Sequence, residues 1–329
     1  MAHILVDTAN TFFRARHVIR GDTSEKVGMA IHIMMNSIKK AWQDFEGTHV
    51  VFCLEGRSWR KDHYAPYKRN RKEMADAMTE KEKEENEVFW EVYDDFVDFV
   101  KTKTNCTVLR NGRTEADDLI ARWIDKHPDE QHVIISTDKD LNQLVANNVK
   151  QYNGVTETTL TNEGWFDAKG NPVIDKKLNA PKPAPDTEWI IFEKAIRGDP
   201  SDNIFSAYPG VRTKGTKNKI GLQEAFADRH DKGYTWNNLM LSKWVDHDGN
   251  EHRVLEDYER NRLLVDLHAQ PEDIIQELDQ TIAQSKAESK NVGQVGIRFM
   301  RFCAKYDLQR ISEQAQLYVD PFNARLPSL

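Results

Sequence analysis

Nine acidic residues stand where carboxylates can act together. Asp7 closes an apolar run, Glu55 follows VVFCL, and TEADDLIA sets Glu115, Asp117 and Asp118 at the mouth of a helical pattern. Asp138 and Asp140 come directly after the apolar run of IISTDKD, and GDPSDN carries Asp199 and Asp202 just past a helical stretch. Gathered carboxylates repel: a pair about 4 Å apart costs about 4 kcal/mol at an effective dielectric near ~20. Protonation or a cation must relieve that cost. Oxygen ligands without His or Cys select hard ions, Mg²⁺ or Mn²⁺, over zinc. Each cluster alone has a plainer use. Glu115, Asp117 and Asp118 would stabilise a helix capped by Thr114, Asp138 would serve as an N-cap, and Asp199 with Asp202 would make a turn. Only the joint placement points to metal chemistry.

The elements around these acids decide whether they meet. Residues 3–6, 49–54, 107–109 and 133–136 are brief Val/Ile/Leu runs with little polar interruption, the mark of strands covered on both faces. Between them run helical periods. Phe89, Val92, Phe96, Phe99 and Val100 share one face, and Leu119, Ile120, Trp123 and Ile124 another. This alternation predicts an α/β fold with a mainly parallel central sheet flanked by helices. Ligands of such sheets bind outside the C-terminal strand ends, where Asp7, Glu55, Asp138 and Asp140 would converge. Residues 161–186 read as a long connection with a hairpin around Lys169–Gly170–Asn171, and 187–197 as a helix. Asp248–Gly249 marks a second hairpin, and 251–306 looks largely helical. The expected organisation is an α/β core over 1–155 and a helical region over 156–329, packed on the core and completing the metal site.

The composition excludes several classes. With 329 residues, 39% apolar and 30% charged, and a mean hydropathy of -0.71, the chain can bury a core, and no apolar run nears the ~18–20 residues that span a bilayer. Three widely spaced cysteines and an N-terminus without a secretory pattern imply a reduced, cytoplasmic setting. Net charge is -7, which by itself argues against a nucleic-acid partner. Its distribution does not. Residues 57–72 hold seven Lys/Arg against one Asp, 73–95 ten acids against two lysines, and 212–219 four bases and no acid.

The order Asp7, Glu55, TEADD, STDKD, GDPSDN resembles the 5′-nuclease superfamily of flap endonucleases, phage 5′→3′ exonucleases and the 5′-nuclease domain of bacterial DNA polymerase I. WRKDHYAPYKRNRK is similar to that family's arch-base motif, and the resemblance runs from Asp7 to about Gly221. It implies a PIN-like core with a helical arch at about 57–95 and a helix–three-turn–helix at about 187–230. It also implies two ions, Mg²⁺ or Mn²⁺, that serve hydrolysis of a phosphodiester to a 5′-phosphate. Asp7, Glu55, Glu115 and Asp117 match the acids nearer one ion. Asp138, Asp140 and Asp199 match those nearer the other, with Asp118 and Asp202 supporting. In the arch, Lys68 and Arg71 would offset charge on the scissile phosphate, Tyr67 would stack on a base, and Arg60 would contact nucleic acid. Arg212, Lys214, Lys217 and Lys219, with backbone amides of the turn, would grip duplex phosphates.

Two departures bear on this carry-over. Glu55 stands where the family usually has Asp, and Pro209–Gly210–Val211 is followed by Arg212 rather than glycine, at the place of the family's K⁺ site. A monomer is expected, and the compact chain without a fused polymerase is compatible with a phage protein. It would act on DNA with a free 5′ end or flap, or on RNA–DNA hybrids, alongside replication proteins in a bacterial or phage-infected cell. A PIN-type ribonuclease and a non-catalytic DNA-binding scaffold are the alternatives. The first would lack the arch motif and basic turn, and the second should have lost acids, yet all nine positions are filled. A haloacid-dehalogenase-type phosphatase needs Asp-x-Asp, but Thr8 and Ala9 follow Asp7.

Overall fold

The computed structural model describes residues 1–18, 20–217, 219–288 and 290–326. β1 (Ala2–Asp7) leads into α1 (Thr8–Val18), α2 (Thr23–Asp44) and β2 (His49–Cys53). The short α3 (Arg60–His63) and α4 (Asn70–Asp76) precede α5 (Glu80–Lys103), β3 (Thr107–Leu109), α6 (Ala116–Asp125) and β4 (Gln131–Ile135). A 3-10 turn at Asp140–Leu144 is followed by β5 (Val149–Asn153), β6 (Thr158–Thr161), β7 (Gly164–Phe166), β8 (Ile174–Asp175) and β9 (Ala180–Pro181). Then come α7 (Thr187–Arg197), a 3-10 turn at Pro200–Asp202, α8 (Leu222–Ala227), α9 (Tyr234–Met240), β10 (Lys243–Val245), β11 (Glu251–Arg253) and α10 (Val254–Val265). The chain continues through α11 (Glu272–Ala287), α12 (Val295–Lys305), α13 (Gln309–Ser312) and α14 (Ala315–Asn323).

These elements pack as two compact units that interleave along the sequence. The first holds Met1–Ser58, Met78–Ala184 and the described part of Glu272–Leu329, and the second Trp59–Ala77 and Pro185–Pro271. This division differs from a single boundary near residue 155. The physical reason is that α5, α12 and α14, far apart in sequence, bury their apolar faces in one core with α2 and the sheet.

In the first unit the strands run in the order β3-β2-β1-β4-β5-β6-β7. β1 pairs in parallel with β2 and β4, β2 with β3 and β4 with β5, while β6 and β7 add antiparallel edges. The alternation of strand residues splits the sheet's apolar groups between its faces. Ile4, Val6, Val50, Phe52, Val133 and Ile135 join the core with α2, α5, α12 and α14. Leu5, Val51 and Ile134, also fully buried, point to the face that α6 and α11 approach. Covering both faces explains why these strands read as continuous apolar runs. Phe52, Phe96, Phe99, Phe299, Phe302 and Phe322 form one ring cluster, where loss of a single ring would cost about 3–5 kcal/mol. Strand order reverses at β1 and β4, the kind of switch point where a crevice opens beyond the strand ends.

The hairpin around Gly170 forms, with Gly170 at φ 79 and Phe166 bridged to Pro172. The β10–β11 hairpin turns at Gly249, φ 86, and α7 spans the expected residues. β5, β6 and the short β7 to β9 went unread in the sequence, because VKQYN and TTLT carry too few apolar residues to stand out.

The second unit builds its own core from Phe192, Ala195, Ile196, Leu222, Trp236, Leu239, Val254 and Tyr258. Tyr64 and Tyr67 of the basic segment are part of it.

Candidate active site

In the first unit the acids gather at the C-terminal ends of β1, β2 and β4. Asp7 and Cys53 are register partners, and Asp7 is only 2% exposed. One Asp7 oxygen, Oδ2, accepts from Ser136 Oγ at 2.7 Å, and Ser136 Oγ in turn accepts the Asp138 N–H at 3.0 Å. Asp138 Oδ1 accepts the Asp140 N–H at 2.8 Å, which sets both carboxylates at the start of the 3-10 turn. Gln151 of β5 pins this corner by donating Nε2 to the carbonyls of Asp138 (2.6 Å) and Ser136 (3.2 Å). Asn10 holds it from α1, its Oδ1 accepting from the Thr137 N–H and Oγ1 at 3.0 Å.

Glu55 is exposed, and its extra methylene has a visible use. Its Oε2 accepts the N–H of Ala116, the first residue of α6, at 3.3 Å. Glu115 is the N-cap of α6 in place of Thr114, whose hydroxyl is buried with no hydrogen-bond partner among the described residues. Glu115 Oε2 accepts from Ser58 Oγ at 2.8 Å, and the fully buried Asp118 accepts the Glu115 N–H at 3.0 Å. Asp118 thus acts locally as the capping acid, which leaves Asp117 half-buried in the first helical turn.

Electrostatics shows that these acids share one neighbourhood. Burial, then the charges of Glu55 and Asp138, raise the Asp7 pKa to about 7 against the hydrogen bond from Ser136. Burial and the charges of Asp7, Asp117 and Glu55 push the Cys53 thiol up. Burial, then Glu55 and Asp7, push the Tyr93 hydroxyl up as well. A carboxyl whose pKa is raised first by burial and then by like charges is relieved by a nearby cation, and the carboxylate oxygens gathered around it suit a hard divalent one.

In the second unit Asp199 and Asp202 lie on one tight loop after α7. Asp199 accepts from Lys194 Nζ at 2.6 Å and from the Ser201 N–H and Oγ at 2.9 and 2.6 Å. Burial would raise its pKa, but Lys194 and Ser201 prevail and hold it below the usual range. Asp202 gathers two cations of the basic segment. Arg71 Nη2 lies 3.0 Å from Oδ1, Lys68 Nζ 3.7 Å from Oδ2, and the Lys68 N–H donates to the Asp202 carbonyl at 2.8 Å. Lys68 has φ 52, a left-handed conformation that costs a lysine energy and is kept by this contact.

Two expected nucleic-acid contacts are corrected. Tyr67 is 4% exposed, packs in the second core and donates its hydroxyl to Asp202 Oδ2 at 3.3 Å, so no ring face remains for a base. Arg60 is 2% exposed, its guanidinium 4.6 Å from the Trp59 ring and its Nε donating to the Leu264 carbonyl at 2.7 Å. Both are structural anchors of the basic segment.

Arg212, Lys214, Lys217 and Lys219 are all exposed on the loop before α8. The loop folds back on itself, and a Cβ on Gly221 would lie 2.3 Å from the Gly215 nitrogen, which demands glycine there. Of the backbone amides expected to meet phosphate, those of Gly215 and Gly221 are given to the Glu224 carboxylate at 3.0 Å.

An aromatic ledge of the first unit escaped the sequence reading. Trp90 is 45% exposed, its ring 4.6 Å from Phe13 and 5.4 Å from Tyr93, and Phe13 lies 5.4 Å from Tyr93. Tyr93 feels the charges of Asp7 and Glu55, so the ledge runs from solvent toward the acids. One clue was available: Trp90 falls off the buried face that Phe89, Val92 and Phe96 define on α5.

Such a sheet, with acids collected at a switch-point edge, defines an α/β protein with a mostly parallel sheet and a crevice at its strand ends. Residues 2–170 match the family described as the 5′-3′ exonuclease N-terminal resolvase-like domain, and the chain belongs to that family. It is 26% identical over 241 residues to DNA polymerase I of Rhizobium leguminosarum, covering 68% of this chain and 20% of that protein. It is 28% identical over 229 residues to the flap endonuclease of Escherichia phage T5, covering 68% and 70%. Against flap endonuclease Xni of Aeromonas hydrophila it is 29% identical over 175 residues, covering 50% and 58%. The chain therefore spans between a fifth and 70% of these curated relatives. Its fold is that of T5 5′-exonuclease with bound zinc (TM-score 0.59, 22% identity, 88% of this chain and 100% of that one). A T5 flap endonuclease complex with DNA and metal ions gives 0.57, 21%, 87% and 100%.

Proposed function

We propose that the chain is a divalent-metal-dependent 5′-nuclease that hydrolyses phosphodiesters of DNA with a free 5′ end or flap, leaving a 5′-phosphate. The observation that carries this reading is the joint placement of Asp7, Glu55, Asp117 and Asp138 at one corner of the sheet, where Asp7 is buried and feels the charges of Glu55 and Asp138. Asp7, Glu55, Asp117, Asp138 and Asp140 would hold the ions, with Glu115 and Asp118 fixing the start of α6. That Asp199 and Asp202 also bind cations is part of the proposal and rests on the resemblance. Two Mg²⁺ or Mn²⁺ ions would neutralise the scissile phosphate and ease deprotonation of the attacking water. No K⁺ is needed for this reading.

The protein's own groups do the rest. Phe13 and Trp90 offer ring faces to unpaired bases, each stack worth about 1–3 kcal/mol. Lys68 and Arg71, held on Asp202, supply positive charge toward the phosphate. Arg212, Lys214, Lys217 and Lys219 take duplex phosphates without reading sequence. We place this activity in replication, primer removal or recombination, carried out by a monomer in the cytoplasm. Among the described residues no helix is long and apolar enough to cross a membrane.

The test is digestion of 5′-labelled flap, nicked, blunt and RNA–DNA hybrid substrates with Mg²⁺, with product lengths resolved. Short 5′-phosphorylated products from the flap or nicked duplex are expected. Cleavage confined to folded single-stranded RNA would overturn the proposal in favour of a PIN-type ribonuclease, and binding without cleavage in favour of a scaffold.

A further inference from the structure

The loop that carries Asp199 and Asp202 is held in an unusual conformation. Gly198 has φ 74, and a Cβ there would lie 2.4 Å from the Ile204 carbonyl oxygen. Asn203 has φ 56, and Asp199 and Ile204 exchange both backbone hydrogen bonds at 2.8 Å. Such a loop keeps one geometry only if its surroundings impose it.

Those surroundings converge on one side chain. Asn261 of α10 is fully buried, and its Nδ2 donates to the carbonyl of Ala195, before the loop, at 2.9 Å. The same Nδ2 donates to the carbonyl of Phe205, just after the loop, at 2.7 Å. Both amide hydrogens are spent across the loop's two ends. The Asn261 carbonyl is fixed in turn by Arg260, whose Nε and Nη2 donate to Oδ1 at 3.1 and 2.9 Å. Arg260 is anchored by Asp257 Oδ1 at 2.6 Å and lies 4.9 Å over the Tyr64 ring, and the Tyr64 hydroxyl accepts the Phe205 N–H at 3.4 Å.

We infer that Asn261, oriented by Arg260, is the positioning residue that sets the Asp199–Asp202 loop for cation binding. A leucine of similar volume would fill the site without the cost of burying an amide, so the amide's two donors are what the site uses. The inference rests on the metal-binding role proposed above for Asp199 and Asp202. Residues that orient ligands in this way change metal affinity by about 10–100-fold when lost.

The experiment compares wild type, Asn261→Leu, Arg260→Met and Asp199→Asn without DNA, by Mn²⁺ titration followed by electron paramagnetic resonance. Amide hydrogen exchange at Asp199 and Ile204, thermal melting and duplex affinity are measured alongside. Asn261→Leu is expected to weaken Mn²⁺ binding by about tenfold and speed exchange at both amides. Arg260→Met should shift both in the same direction by less, and duplex affinity should stay within about twofold of wild type. Wild-type Mn²⁺ affinity in a folded Asn261→Leu protein overturns the inference, whatever the exchange rates do. If that variant does not fold, Arg260→Met decides by the same criterion. Wild-type affinity in Asp199→Asn would instead remove the underlying metal role of Asp199, an outcome distinguishable from failure of the clamp alone.

Discussion

Acid should unfold this protein through a histidine cluster remote from the catalytic chemistry. His3, His49 and His132 stand on the first strands of the sheet or at their starts, at 0–1% exposure. Trp123 Nε1 donates to His3 Nδ1 at 3.1 Å, a bond that only a neutral imidazole can accept, and His132 Nε2 donates to the His127 carbonyl at 2.9 Å. Burial first, then the neighbouring histidines, lowers the His3 pKa to about 3, and burial lowers His49 and His132 to about 4. In the unfolded chain each titrates near ~6.5. The native state therefore binds fewer protons than the unfolded one below that value. The contribution is fully present above about pH 6.5 and is lost as pH falls toward about 4. Each histidine contributes up to about 1.4 kcal/mol per pH unit, so the three together remove about 4 kcal/mol near pH 5.5. That is a large share of the ~5–15 kcal/mol that holds a domain folded. The assay is urea unfolding in saturating Mg²⁺ near pH 7.5 and near pH 5.5, for wild type and His132→Gln, whose amide can still reach the His127 carbonyl. Mg²⁺ is held constant because Asp7, with its raised pKa, pulls the other way in metal-free protein. His132→Gln should lose about a third less on acidification. A wild-type loss under about 1 kcal/mol, or equal losses in both proteins, would refute the reasoning.

Further predictions concern function. Lys68→Ala or Arg71→Ala should lower the single-turnover rate at saturating DNA by about 10²-fold with a smaller change in affinity. Lys214→Ala or Lys217→Ala should instead weaken binding of any duplex and flatten its salt dependence by about 0.9 per phosphate contact, with the saturating rate near wild type. Identical patterns in the two sets would mean that Lys68 is only an electrostatic attractor. Trp90→Ala should weaken binding of 5′ single strands by about 1–3 kcal/mol and leave blunt duplex affinity unchanged, which competition binding of the two ligands checks. Gly198→Ala should destabilise the loop of Asp199 by roughly 1–3 kcal/mol, read from chemical denaturation, because its φ of 74 and the Ile204 carbonyl leave no room for a Cβ.

Much of this architecture was legible in the sequence because parallel strands covered on both faces must be continuously apolar. Four such runs marked the sheet, and three of them stop within two residues of an acid, Asp7, Glu55 and Asp138, which marked the crevice edge. The helical face of Phe89, Val92, Phe96, Phe99 and Val100 was equally clear. What the sequence hid depends on partners far along the chain. Arg60 looks like any surface cation until the Leu264 carbonyl, 204 residues on, takes its Nε. Tyr67 looked like a stacking residue and is a core residue with its hydroxyl on Asp202. The role of Glu224 in closing the basic loop on Gly215 needed the fold, since no pattern links a carboxylate to an amide nine residues before it.

The central claim is that the acids at the sheet edge of the first unit hold divalent cations that cleavage requires. It is tested most directly by calorimetric titration of Mn²⁺ into DNA-free protein near pH 7, for wild type, Asp117→Asn and Asp138→Asn, with flap cleavage measured on the same samples. Wild type should bind saturably, with proton release as the ion brings down the raised pKa of Asp7. Both variants should lose that binding and nearly all cleavage while still binding the flap. Full cleavage in excess chelator, or unaltered Mn²⁺ binding in both variants, would contradict the account.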